Sequence, residues 1–504
     1  MTMNRTKGGG VACLLAAGAL IGMLSGGAGY GVAARHPIVA KTAPLSYRGT
    51  LRMFAYTYGP TPVKVKGAPT PQLVLLAKQW ERLHPGITIQ FVQGPTGTES
   101  LNTWELTEAS AGKLPAIDFG LYNGINTFFP AGTFVNLNPF WGQPDPYVAG
   151  KTWGQVIRPS VIADVRAASG ASYVVNGDWV IFATFYNKAD FAKAGIVGVP
   201  HTWSQFLADS QKLKSHGMVP FASGFASAPV GVDVMTWPLA EFYNNLYGAN
   251  YKRLLFTGGN TVNPEDDVIA IKKGIYGNKN PGWLSFWQMM KQWSKYWEPG
   301  YMGSHPTAGF ETFVKGKAAM YMGGSWDLNG MHQAKIPFGW GSFPDPTPDK
   351  AAWKYATSFN DGPLLGGPTG AFSYAVASRR SDQSMTAAKE QAAINWLEFI
   401  STPAHDTAIV NQLGSDAPTV AGAKPLPFFR RIEKPGYFKA PPLLFFGGYW
   451  DTTQARSGLF RLFQEYMLNE VSLKTFGVRA EQILQAEATQ LTAEHHWNLS
   501  KYLH

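Results

Sequence analysis

A chain of 504 residues exceeds the ~250–300 at which one hydrophobic core stops growing, so more than one lobe or domain is expected. Its 45% hydrophobic share excludes disorder over most of the length, and its charged share of 15% lies below the roughly 25% usual for soluble domains. The net charge of +10 is dispersed, with Arg379-Arg380 and Arg430-Arg431 as isolated pairs, which excludes a nucleic-acid-binding stripe.

Arg5 and Lys7 precede an apolar run from Val11 to Leu24, and small residues follow up to Ala33-Ala34 before Arg35. A basic start, a short apolar run and small residues at the cut describe a secretory signal; a membrane span wants ~20 apolar residues. Residues 1–34 therefore read as a signal peptide or, if kept, an N-terminal anchor, and residues 35–48 as a linker. Cys13 is the single cysteine, so no intrachain disulfide forms, and its place near the start of the apolar run marks it as a passive leader residue.

Thr50–Ala55 predicts a strand, followed by a turn at Tyr58-Gly59-Pro60. Leu73, Leu76, Trp80 and Leu83 recur at helical spacing until Pro85-Gly86 stops them, and Ile87, Ile89 and Phe91 then alternate with polar residues as in a strand. Strand, helix and strand in so short a length predict a βαβ unit, hence a parallel sheet with a right-handed crossover. Pro115–Leu121 offers a third strand. Thr202 to Gln205 fits a capping box opening a helix with Trp203, Phe206 and Leu213 inward and Gly217 at its end. Trp283, Trp287, Trp293 and Trp297 are spaced like one packed helix face. A long helix carries Ala388, Ala392, Trp396 and Phe399 and ends before Pro403; helical spacing resumes from Leu459 to Leu491, with Gly477 as a break. The pattern is α/β with added helices.

Catalytic signatures are scarce. The chain has no G-x-S-x-G elbow, no H-E-x-x-H and no Walker loop, and His332 and His495-His496 lack zinc-ligand spacing, so no metal and no cofactor is expected. Asp178, Asp327, Asp361 and Asp451 supply carboxylates that could serve glycoside hydrolysis or accept hydrogen bonds from sugar hydroxyls. Spacing alone does not choose.

Several segments, in order, resemble the extracellular solute-binding proteins of ATP-binding-cassette importers, in particular the maltose-binding-like sugar-binding family. They are Trp80 to Ile87; Ala111 to Asp118, with Ala116 where the family commonly has Asp; Phe185 to Phe191 running on through Gly195, Pro200 and Trp203; Phe313 to Met320 followed by Gly324-Ser325-Trp326; and Ala392 to Pro403. Inserts around 250–283 and 424–450 depart from the family pattern.

The resemblance implies a two-lobed periplasmic-binding-protein-like fold, each lobe a central sheet flanked by helices, joined by hinge strands near 178–182, 366–372 and 412–418. Lobe 1 would take 49–178 and 372–414, and lobe 2 would take 179–371 and 415–504. It further implies a monomer outside the cytoplasmic membrane that closes on a neutral carbohydrate and docks on the permease subunits of an importer. Ligand contacts in this family come from loops at strand ends and near the hinges. That directs attention to Tyr58, Thr96, Thr98, Tyr122, Asn123, Asp178, Trp179, Trp237, Trp326, Asp327, Gly366, Gly367 and Trp450, because aromatic rings cover sugar faces while carboxylates, amides and backbone groups bind hydroxyls. None of these loops offers an Arg, which favours an uncharged ligand. The rival readings are a secreted carbohydrate-active enzyme, a receptor for a non-sugar solute, and a receptor that feeds a sensor kinase.

Overall fold

The computed structural model describes residues 44–60, 69–95, 98–120, 129–167, 169–223, 254–258, 262–304, 308–343, 346, 349–356, 366–367, 370–429 and 452–503. The chain begins with β1 (Gly49–Phe54), α1 (Gln72–Leu83), β2 (Ile87–Val92), α2 (Thr98–Ser110), β3 (Ile117–Phe119), β4 (Val174–Asn176) and β5 (Asp178–Asn187). Then come α3 (Trp203–Ser215), β6 (Phe221–Ala222), α4 (Pro264–Lys272), α5 (Pro281–Trp293), α6 (Ala308–Val314), β7 (Met320–Gly324), α7 (Asp327–Gln333) and β8 (Trp340–Phe343). The last part holds β9 (Gly366–Gly367), β10 (Ser373–Val376), α8 (Ala387–Ile400), α9 (Pro403–Leu413), β11 (Ala417–Pro418), α10 (Thr453–Met467) and α11 (Leu473–Glu494).

The first βαβ unit forms as its periodicity dictates. Helix α1 buries Leu73, Leu76, Ala77 and Trp80, and β1 pairs with β2 in parallel, Leu51 opposite Ile89. Gly86, at φ +91°, makes the turn between them, a backbone angle that favours glycine. The capping box at α3 also forms: Thr202 Oγ accepts from Gln205 N–H at 3.3 Å, and Gln205 Oε1 accepts from Thr202 N–H at 3.2 Å.

Two sheets result. The first has the order β2-β1-β3-β10-β4, with β10 antiparallel to both neighbours; the second has the order β11-β5-β7-β6, with β8 and β9 also pairing with β5. Strand β5 belongs to both halves of the interior through its period of two. Trp179, Ile181 and Phe185 join a buried cluster that runs from the first sheet and its helices to Ala222, Phe313, Leu328 and Met331 beside the second sheet, whereas Val180 joins a second cluster around α3, α5, α10 and α11. The Trp series of α5 lies in that second cluster, where Trp293 sits edge-on to Trp203 at 5.3 Å and to Phe221 at 4.7 Å. Its helical spacing had placed it there.

One boundary differs from expectation. Gly477 does not break the C-terminal helix. The break falls between α10 and α11, at Asn469 with φ +65°, and Gly477 lies inside α11, where a Cβ would stand 2.8 Å from Leu284. It is a close-approach glycine. After pairing with β5 through β11, the chain runs back to residues that precede β5. Thr419 N–H donates to Gly177 O at 2.9 Å, Ala421 N–H to Val156 O at 2.8 Å, and Val420 and Phe429 belong to the first cluster. No helix among the described residues is long and apolar enough to cross a membrane.

Candidate functional site

Ligands of open α/β sheets bind beyond the carboxyl ends of parallel strands. In the first sheet those are the ends of β1, β2 and β3, and in the second the ends of the parallel pair β6 and β7. Both sets of ends converge on the start of β5. The turn after β1 lays Tyr58 across to Asp178, its Oη donating to Asp178 Oδ2 at 2.8 Å. The turn after β7 lays Ser325 on Ile181, whose N–H donates to Ser325 Oγ at 3.1 Å while Ser325 N–H donates to Ile181 O at 2.8 Å.

Three strands run side by side at this point. Asp178 and Trp179 pair with Pro418 and Ala417 of β11, and Val180 and Ile181 pair with Gly367 and Gly366 of β9. Close approach explains two glycines here. A Cβ on Gly177 would overlap the Phe372 ring and stand 2.7 Å from the Asp406 carboxylate, and one on Gly370 would overlap the Asp178 carboxylate. Gly370→Ala is therefore expected to cost roughly 1–3 kcal/mol of stability through overpacking. Scanning calorimetry reads this as a midpoint lower by several degrees; an unchanged midpoint would show that the carboxylate simply steps aside.

Asp178 is 0% exposed and Tyr58 5% exposed, and they are turned on one another. Phe372 N–H donates to the same Asp178 oxygen at 2.9 Å. Burial pushes the Asp178 carboxyl up to about 6, with these hydrogen bonds pulling the other way. Burial also pushes Asp406 and Asp416 well above the usual carboxylate range, and the charge of Asp178 adds to both. Tyr58 is pushed up by its burial and then by Asp178.

Aromatic rings stand on either side of this junction. On the first sheet, Tyr56 adopts φ +47°, uncommon for a residue with a side chain, and its ring stacks on Phe119 at 4.4 Å and 7°. Trp104 meets Phe54 edge-on at 5.2 Å beside them. On the second sheet, Trp326 is 39% exposed immediately after β7, and a Cβ on Gly324 would overlap its ring. Asp327 opens α7, its Oδ2 accepting from Tyr321 Oη at 3.1 Å and from Gly324 N–H at 3.3 Å.

The structure thus brings Tyr58, Asp178, Trp179, Gly366 and Gly367 together at the strand junction, with Trp326 and Asp327 adjoining. Three of their side chains are buried. Trp179, 3% exposed, is a core side chain, and Tyr58 and Asp178 spend their polar atoms on each other and on Phe372. Thr98 opens α2; Thr96, Tyr122, Asn123, Trp237 and Trp450 lie outside the described residues. Sequence reasoning missed Tyr56, Ser325 and Asp416. Tyr56 shares the loop that drew attention to Tyr58, and Ser325 stands inside the Gly-Ser-Trp motif, but nothing local marks Asp416.

A family profile described as bacterial extracellular solute-binding protein matches residues 76–434. No curated protein sequence matches the chain. Among solved structures, the solute-binding protein RafE in complex with raffinose is similar at 16% identity and a TM-score of 0.57, over 87% of this chain and 100% of that one. A family 1 extracellular solute-binding protein from Bifidobacterium longum subsp. infantis is similar at 18% identity and a TM-score of 0.60, over 88% and 99%. The cyclic α-maltosyl-1,6-maltose binding protein from Arthrobacter globiformis is similar at 17% identity and a TM-score of 0.57, over 88% and 100%. At such identities the likeness is one of fold.

Proposed function

The chain belongs to the bacterial extracellular solute-binding proteins, and from that premise we propose that it captures a neutral carbohydrate between its lobes and hands it to the permease of an ATP-binding-cassette importer. The observation that carries this reading is the exposed Trp326 ring at the end of β7, one residue from a junction of three connecting strands. An apolar ring face at a hinge suits a sugar's C–H face, and closure about connecting strands is the expected motion. Tyr56 and Trp104, at the end of β1 and on α2, supply rings on the opposite lobe. The similar folds named for raffinose and for maltosyl-maltose add support for an oligosaccharide.

Binding without bond cleavage suits the carboxylates. Glycoside hydrolysis needs an acid and a second carboxylate that both reach the scissile bond. Asp178 lies sealed in the strand junction, and Asp327 is committed to Tyr321 and to the Gly324 N–H. Neither is placed to protonate a leaving group, and Asp361 and Asp451 lie outside the described residues.

A thermal-shift screen tests the proposal, since a ligand that binds only the folded chain at a hundred times its Kd adds about 2.7 kcal/mol. Raffinose, malto-, chito- and xylo-oligosaccharides should include at least one that raises the midpoint by several degrees. A rise confined to phosphorylated polyols or peptides would overturn the carbohydrate reading.

A further inference from the structure

Trp326 is tied to the connecting strands through its neighbour. Ser325 exchanges backbone and hydroxyl hydrogen bonds with Ile181 of β5, and its Oγ donates to Asp416 Oδ1 at 2.6 Å, one residue before β11. Ser325 and Asp416 are both buried. One contact therefore joins the ring-bearing turn, the first connecting strand and the segment that leads into β11.

Two more buried carboxyls adjoin it. Asp178, which pairs with Pro418, holds Tyr58 and the Phe372 N–H, and Asp406 of α9 accepts from Val420 N–H at 3.2 Å. The groups facing the three acids are few. Tyr58 and Tyr374 face Asp178, and Asp178 faces both Asp416 and Asp406. Arg158, whose Nε donates to Thr419 O at 2.7 Å, is the cation that acts on Asp406.

We infer that the Ser325–Asp416 hydrogen bond is a proton-sensitive latch that fixes the Trp326 turn to the connecting strands while Asp178 and Asp416 keep at least one proton between them and loosens when both are ionised. This rests on the receptor reading above and adds a regulation to the same site. Two neighbouring buried carboxylates disfavour double ionisation. Asp178, with two donors on one oxygen, is the better placed to carry charge, and Asp416, with one donor, to keep the proton. A protonated Asp416 still accepts from Ser325, so the bond survives in acid. At higher pH the Asp416 O–H breaks, its proton leaves to water, and the two like charges are relieved by parting β11 from β5. Burial raises all three acids, Asp178 to about 6, in keeping with release near or above neutral pH. Asp416 is thus a positioning residue for Trp326.

Hydrogen exchange on the full chain without any sugar tests this. After correction for intrinsic rates, protection over 177–182, 320–327 and 415–420 should fall at least about tenfold more between about pH 5 and about pH 8 than that of β1 and α5, which follows global stability. Asp416→Asn keeps an acceptor and loses the charge, so its protection at the higher pH should match that at the lower. Ser325→Ala should leave 320–327 equally unprotected at both. If Asp416→Asn does not fold, Ser325→Ala carries the test alone, and a 320–327 protection in it that still falls with pH as in the wild type overturns the latch. So does a wild type that is flat with pH, an Asp416→Asn that loses protection as the wild type does, or a loss in the three segments no larger than that in β1 and α5. With no sugar present, these results do not bear on whether the cleft binds a carbohydrate.

Discussion

Replacing Trp326 with Ala is expected to weaken binding of the captured sugar about 10- to 100-fold while leaving the thermal midpoint within about two degrees of wild type. The ring is 39% exposed and belongs to neither buried cluster, so its removal leaves no sealed cavity. Burying an aromatic face against a ligand is worth about 1.5–3 kcal/mol, which sets the affinity range. Trp179→Ala is the contrast. That ring is in the core, and its loss should cost about 3–5 kcal/mol of stability through the cavity it leaves. Isothermal titration with a sugar taken from the thermal-shift screen, paired with calorimetric melting, separates the two. Unchanged affinity in Trp326→Ala would sink the proposed site. So would a Trp179→Ala protein that melts like wild type and binds worse, because that is how a ligand contact behaves.

The opposite fates of these tryptophans mark how far local pattern carries. Trp283, Trp287 and Trp293 recur on one helix face, and periodicity alone puts them inside. Strands β1 and β2, helix α1 and the capped start of α3 were legible for the same reason: their determinants lie within a few residues of one another. Trp326 and Trp179 both follow polar residues near strand ends, and there local sequence is silent. What buries Trp179 is the period of β5, where its face continues through Ile181 and Phe185 into the first cluster. What withdraws Tyr58 from the cleft is Asp178, 120 residues along the chain. Asp416 is harder still, since its meaning comes from Ser325, 91 residues earlier, and from Asp178. The sites at 178–182 and 366–367 became visible only through family resemblance, which encodes such distant contacts. The strained backbone of Tyr56 carries no sequence signature, because positive φ is ordinary only for glycine and tolerated mainly by Asn and Asp.

Stability should rise as the medium is acidified from about pH 8 to about pH 5, against the usual course of acid denaturation. Many carboxyls are buried with folded-state values above the ordinary range near 4. Burial raises Glu105 to about 10, Asp164 and Glu398 to about 8, and Asp178 and Asp266 to about 6; Asp118 and Asp406 are raised too. For each, the folded state binds its proton more tightly than the unfolded chain. Between the unfolded value and the raised folded value the native protein holds more protons, so stability falls as pH climbs through that window. His84 and His405, lowered by burial, act in the opposite sense: below about pH 6.5 the unfolded chain takes up protons that they refuse, which sets an acid limit. A maximum near pH 5 to 6 follows, with the midpoint dropping on the order of 5 °C by pH 8, a few kcal/mol spread over several groups. Glu398→Gln isolates one contribution. Its partner Asn395, whose Nδ2 donates at 3.4 Å, can be kept by the amide, so the variant should lie near wild type at about pH 5 and exceed it by clearly more at about pH 8. A wild-type midpoint that is flat or climbs over the same interval would mean that these carboxyls ionise freely in the folded chain, through water or motion that relieves their burial. The low acid content of the chain, 33 Asp and Glu against 43 Lys and Arg, leaves few exposed carboxylates to counter the trend.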